Sequence, residues 1–218
     1  MSNLPRLMLV AWLGLTACDE ASEPPATVDG AQEPVQAAPA ERRLLIARGA
    51  VSVDGKPATE GTPIGEASTV QTGPDGYAVL TLGKGSAVEV RANSKLTLGS
   101  SPRAKTTLQL VAGMVWSFLP DGASYEVQTP NAVAGVRGTV FFVQADARGS
   151  YICACKGAVR METADGKTRR EVTTKPGHEH LGFSVSKRGK RDKLGKAPMK
   201  HHTDAEAEAL APTLESVR

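Results

Sequence analysis

Between residues 43 and 186 the chain repeatedly starts and stops a two-residue alternation of apolar and polar side chains, and this feature most restricts its fold. The runs are Leu44–Val53, Tyr77–Leu82, Ala87–Arg91, Lys95–Leu98, Thr107–Val111, Met114–Phe118, Ser124–Thr129, Gly138–Ala145, Tyr151–Cys155, Ala158–Glu162, Arg170–Thr174 and His180–Ser186. Turn signals such as Gly73-Pro74-Asp75-Gly76 and Asp165-Gly166 stand between them. Short alternating runs bounded by Gly, Pro, Asp and Asn are strands and hairpins. Many of them in a row specify an all-β fold, a sandwich, barrel or solenoid. The segment has the length of one ordinary domain, about 140 residues. Aromatic residues make up only 4% of the chain, so Val, Leu and Ala must fill most of the core.

The flanks are built differently. Arg6 precedes an apolar run from Leu7 to Leu15, which ends in Leu15-Thr16-Ala17-Cys18. A charged start, a short apolar middle and small residues at the cut form a secretory signal. The run is too short for a spanning helix, which needs roughly 20 apolar residues. Leu-Thr-Ala-Cys resembles a bacterial lipobox more closely than a plain cleavage site. Residues 1–17 are therefore expected to be a lipoprotein signal peptide, with Cys18 lipidated as the first mature residue. A diacylglycerol plus an N-acyl chain would give stable anchoring. The expected location is the bacterial cell envelope, exported, lipid-anchored to the inner or outer membrane and facing the periplasm. Residues 18–42 are rich in Pro, Ala and Glu and nearly devoid of large apolar side chains, the composition of a disordered tether. Residues 187–218 open with KRGKRDKLGKAPMK, expected to be a basic, solvated linker or a patch for anionic headgroups. A short C-terminal helix is expected after Thr203, which has capping-box spacing to Glu206.

The body resembles the FecR domain. GAVSVDGKPATEGTPIGEASTVQTGPDGYAVLTLGKGSAVEVRANSKLTL is similar to that domain's first half, with its Thr-Gly-x-x-Gly centre and Asn-Ser-x-Leu-x-Leu close. The second half matches in Leu108-x-Leu110-x-x-Gly113-x-Val115 and in VQTPNAVAGVRGTVFFV from Val127 to Val143. The motif residues there are Thr129, Pro130, Gly135, Val136, Arg137, Gly138 and Thr139. The two glycines are expected to allow a tight or positive-φ backbone around Val136-Arg137. Arg137 is expected to clamp a neighbouring turn, or else to contact a partner. The resemblance implies a non-catalytic module for protein binding, sensing or signalling. Classical members join a periplasmic FecR domain to a spanning helix and a cytoplasmic segment that holds a sigma factor. This chain is expected to be a stand-alone lipoprotein form without that segment, its partner an envelope protein rather than nucleic acid or a small-molecule substrate.

Enzyme chemistry finds no anchor. There is no Gly-x-Ser-x-Gly, no His-Glu-x-x-His, no phosphate-binding Gly-rich loop and no Cys-x-x-Cys-His. What remains is a cluster of soft ligands in the last third. Cys153 and Cys155 are two apart and share one face of a strand. A disulfide between them would be strained, because positions two apart in a strand lie at the upper limit for a bridge. His178 and His180 repeat the spacing, and Met199, His201 and His202 follow in the tail. Two thiols and two imidazoles would suit zinc, and a thiolate, imidazole and thioether mixture would suit copper. Metal binding or redox activity at these residues, a strained or intermolecular disulfide, and inert buried thiols all remain open alternatives.

Overall fold

The computed structural model describes residues 42–206, apart from 84, 121, 175–180, 189–190 and 204, together with residue 209. The signal peptide, Cys18 and nearly all of the tether lie outside the described residues, as do His178 and His180. The described chain is almost entirely strand. Fourteen strands follow one another: β1 (Leu44–Arg48), β2 (Val51–Val53), β3 (Lys56–Pro57), β4 (Thr69–Thr72), β5 (Tyr77–Gly83), β6 (Ser86–Val90), β7 (Lys95–Ser101), β8 (Ala104–Phe118), β9 (Ser124–Gln128), β10 (Ala132–Asp146), β11 (Gly149–Thr163), β12 (Arg169–Thr173), β13 (Leu181–Arg188) and β14 (Arg191–Ala197). They form one continuous sheet in the order β14-β13-β11-β10-β9-β8-β7-β4-β2-β3, with β1, β5 and β6 joined through β8 and β12 joined to β11. All pairings are antiparallel except that of β8 with β9.

Three strands of 15 residues, β8, β10 and β11, carry this sheet. Each changes partner halfway along. β8 pairs with β7 through residues 104–112 and with β10 through residues 113–118. β10 pairs with β9 up to Arg137 and with β8 from Val140. β11 pairs with β13 up to Ala154 and with β12 from Ala158. At each change the side-chain alternation also changes phase. In β8 the main core takes Leu108 and Leu110 and then Val115; in β10 it takes Ala132, Ala134 and Val136 and then Phe141, Val143 and Ala145. In β11 it takes Ile152 and Ala154 and then Val159 and Met161. A strict period of two cannot join an even to an odd series, so an extra residue must enter. The registers show it: Arg137 pairs with Ala158 and Val140 with Lys156, yet Phe141 pairs with Ala154. Gly113 and Gly157, with φ of 99° and 102°, take up two of the three phase changes.

Two corrections to the sequence reading arise here. The basic stretch after residue 187 is not a free linker, because β14 pairs with β13 from Gly182↔Ala197 to Arg188↔Arg191 and buries Leu194. An outer strand can present its charges to solvent on one side while its backbone is paired on the other. Leu44–Val53 is also two strands, broken at Gly49 (φ 62°). Of the expected C-terminal helix, Ala205, Glu206 and Ala209 are helical. The Glu206 N–H donates to Thr203 Oγ1 at 3.2 Å, as the capping spacing requires; the remainder lies outside the described residues.

Candidate metal centre

Large apolar side chains also stand on the sheet's other face. Trp116, Phe118, Phe142, Tyr151 and Cys153 form a second buried cluster, with Met114, Val140, Cys155 and Ala197 packed against it. In β11 the alternation therefore sends Ile152 and Ala154 to the main core and both sulfurs to the opposite face, as the sequence predicts. Cys155 is the extra residue of the β11 bulge, the position that the register against β10 skips between Ala154 and Lys156. No disulfide joins Cys153 to Cys155 here.

The chain beyond β14 runs over this face and brings His202 to the sulfurs. Cys153 is 0% and His202 4% exposed. One ligand atom from each of Cys153, Cys155 and His202 lies within 4.8 Å of the others. Cys155 Sγ is 3.3 Å from His202 Nε2. The other ring nitrogen, Nδ1, is 2.7 Å from the Lys200 carbonyl oxygen. A carbonyl only accepts, so Nδ1 carries a proton, and this contact holds the ring with Nε2 toward the sulfur. The imidazole stacks on Phe142 at 4.6 Å between centroids and meets Trp116 edgewise at 5.3 Å. The Lys200 N–H donates to Tyr151 Oη at 3.1 Å.

Arg91 fastens the same segment from the other side. Its Nη1–H donates to the His201 carbonyl at 2.5 Å, and Nη2 lies 3.4 Å from Glu206 Oε1. Its Nε–H reaches Glu89 at 2.7 Å, while the guanidinium lies over the rings of Phe142 and Trp116 at 5.5 and 5.7 Å. Burial pushes the Glu89 carboxyl up against the pull of Arg91.

The Cys155 thiol, then the imidazole of His202 and the phenol of Tyr151, pull the Cys153 thiol well below its usual range, against the opposing effect of burial. Burial, with the charge of Cys153 behind it, pushes the Tyr151 phenol up. The two shifts describe one arrangement, in which a sulfur anion is favoured and Tyr151 stays a hydrogen-bond donor to it.

Of the histidines named from the sequence, the structure gathers His202 alone among the described residues. His201 takes φ 63° and points outward, contributing its carbonyl, and Met199 is exposed. Tyr151, Arg91, Trp116 and Phe142 received no role from the sequence. One signal for them is legible: Phe141-Phe142 and Trp116-Ser117-Phe118 put rings on the face away from the main core, so something must cover that face.

The motif residues sit elsewhere. Thr129 and Pro130 belong to the β9–β10 turn, where the Thr129 N–H donates to the Ala132 carbonyl at 2.8 Å and Ser150 Oγ donates to Thr129 Oγ1 at 2.8 Å. Val136 is buried. Gly135 is extended rather than tightly turned, paired with Arg160 and Glu126, with open space where a Cβ would stand. Gly138 and Thr139 fall in the register break of β10. Arg137 does not clamp a turn. It is exposed, and its side chain makes no ion pair or hydrogen bond among the described residues; it lines a groove of about 490 Å³ with Arg103, Arg160, Arg169, Glu126 and Glu162.

No curated protein matches this sequence. Two solved structures of a "putative anti-sigma factor" from Parabacteroides distasonis ATCC 8503 show partial likeness, each 13% identical with a TM-score of 0.49. The alignments cover 61% of this chain and 60% of that chain in one case, and 66% and 63% in the other. The chain thus spans less than two thirds of the length of these structures. Residues 68–160, from just before β4 to the second half of β11, match the FecR protein family.

Proposed function

We propose that this protein is a non-catalytic FecR-domain lipoprotein of the bacterial cell envelope, which binds a protein partner as a regulatory or signalling module. The FecR match over residues 68–160 carries this reading. The lipobox at Cys18 supports the envelope location, and the composition of residues 18–42 supports a tether holding the sheet away from the membrane. Arg137 is an exposed motif cation on a groove, with no ion pair among the described residues, a suitable contact for a partner's carboxylate or carbonyl groups.

The test places a photoreactive amino acid at position 137 of the full chain in cells, and in a second strain at position 55, the exposed tip of the β2–β3 hairpin. The reading expects palmitate label in the membrane fraction, lost in Cys18→Ala, and one discrete protein adduct from position 137 that position 55 does not give. Equal adducts from both positions, none from 137, or a label that survives Cys18→Ala would overturn it.

A further inference from the structure

The sulfur-bearing face has a use that the FecR match does not assign. Its donor set is two thiols and an imidazole, with no carboxylate in the group. Soft sulfur and nitrogen ligands without carboxylate oxygen exclude calcium and magnesium and favour copper(I) or zinc. Coordination number separates those two. Structural zinc sites take four protein ligands, and catalytic ones leave a fourth position open to water. Here the described ligands number three, and the rings of Phe142 and Trp116 pack against His202. Copper(I), a closed-shell ion of low charge, is content with three soft ligands.

The surroundings match a ligand site more closely than a packing accident. Nδ1 of His202 is held by a carbonyl, which fixes the ring so that Nε2 faces Cys155. This is the outer hydrogen bond that orients metal-binding histidines. The β11 bulge places Cys155 where its sulfur converges with Cys153 instead of running parallel to it. Two thiolates and one copper(I) carry a net negative charge, and the Arg91 guanidinium lies over the rings of the same cluster.

We propose that Cys153, Cys155 and Nε2 of His202 bind one copper(I) ion in three-coordinate geometry, and that the ion fastens residues 198–202 over Trp116 and Phe142. Binding transfers no electron: copper enters and leaves as copper(I), and the thiol protons pass to solvent. Cys155 and His202 are 47 residues apart in sequence, so the ion closes a long loop between the sheet and the segment after β14. Copper occupancy therefore controls how firmly the aromatic face is covered.

The experiment uses the full chain with Trp12→Phe and Cys18→Ser, which leaves Trp116 as the single tryptophan and Cys153 and Cys155 as the only cysteines. Copper(I) is titrated anaerobically against a chromophoric copper(I) chelator. The expected result is a break at one equivalent, an X-ray absorption shell of two sulfurs and one nitrogen, and a Trp116 emission change that saturates with copper. Cys153→Ser or Cys155→Ser should weaken binding by about 100-fold or more, the upper end of what lost supporting contacts alone produce. His202→Ala lies outside the sheet and so separates ligation from folding. It should keep a weaker two-sulfur site, lose the nitrogen from the shell and lose the Trp116 response. Met199→Leu should change nothing. A four-coordinate shell with zinc outcompeting copper(I), stoichiometric binding that survives loss of both cysteines, or a Trp116 response unchanged in His202→Ala would each overturn the proposal.

Discussion

Gly113 shows how much one residue decides. With φ at 99° it lies where β8 changes partner, and a methyl group there would collide with the Oγ, Cα and Cβ of Ser94. Ser94 has no room to yield. Its N–H donates to Thr72 Oγ1 at 3.0 Å, and its Oγ accepts from the Met114 N–H at 2.9 Å. Thr72 Oγ1 in turn donates to the Arg91 carbonyl at 2.6 Å. Gly113→Ala should therefore lose about 3 kcal/mol, from a strained φ and an overpacked contact together. Urea denaturation measures it; a midpoint within error of the parent would show that the strand can shift without loss. The sequence marks Thr72, Ser94 and Gly113 only as members of a family pattern. The hydrogen bonds that join β4, β7 and β8 through them become visible only when the three strands are side by side.

At the scale of elements, the segment after β14 is the cover of the second cluster. The Lys200 N–H, the His201 carbonyl and the His202 ring fasten it to Tyr151, Arg91 and Cys155 respectively. A chain ending after Ala197 keeps all fourteen strands but uncovers Trp116 and Phe142. We expect it to fold with unchanged far-ultraviolet circular dichroism, a red-shifted Trp116 emission and a loss of about 2 kcal/mol for each large ring left uncovered. Unshifted emission would mean that the segment does not shield the cluster. Alternation within β11 was enough to predict that the two sulfurs share a face. The bulge that draws them together was not legible, because it arises from the register against β10. In the sequence the long strands β8 and β11 show as pairs of short runs, Thr107–Val111 with Met114–Phe118 and Tyr151–Cys155 with Ala158–Glu162. That reading follows real phase breaks, which bulges span without ending the strand.

For the whole molecule, pH acts through carboxylates held in their charged form. Glu162 in β11 accepts from Arg103 at 2.9 Å and from Arg169 at 3.0 Å, tying the β7–β8 turn and β12 to β11. These two guanidinium groups hold its carboxyl below the usual range. The Thr69 N–H and then the Ser68 hydroxyl do the same for Asp54. A carboxyl whose folded value is depressed stabilises the fold above its unfolded value, about 4.3 for Glu, and loses that contribution as pH falls through the folded value. Stability should therefore fall with acid from about pH 4.3 downward, and more gently in Glu162→Gln. Denaturant midpoints collected between neutral pH and pH 3 check this; parallel acid limbs in parent and variant would remove Glu162 from the account. Glu89 works with the opposite sign, because burial raises it and its contribution is lost as pH rises.

The sequence by itself determined the β architecture and the division of β11 into a core face and a sulfur face. Both rest on local periodicity, which a linear reading can count. It also determined the FecR resemblance, which rests on short motifs at fixed spacing. Only the tertiary structure decided that His202 is the histidine that joins the two thiols and that Arg91 and Tyr151 hold it there. Those contacts bridge 47, 110 and 49 residues of chain. They depend on where β13 and β14 turn the chain back across the sheet, and no local pattern encodes that path.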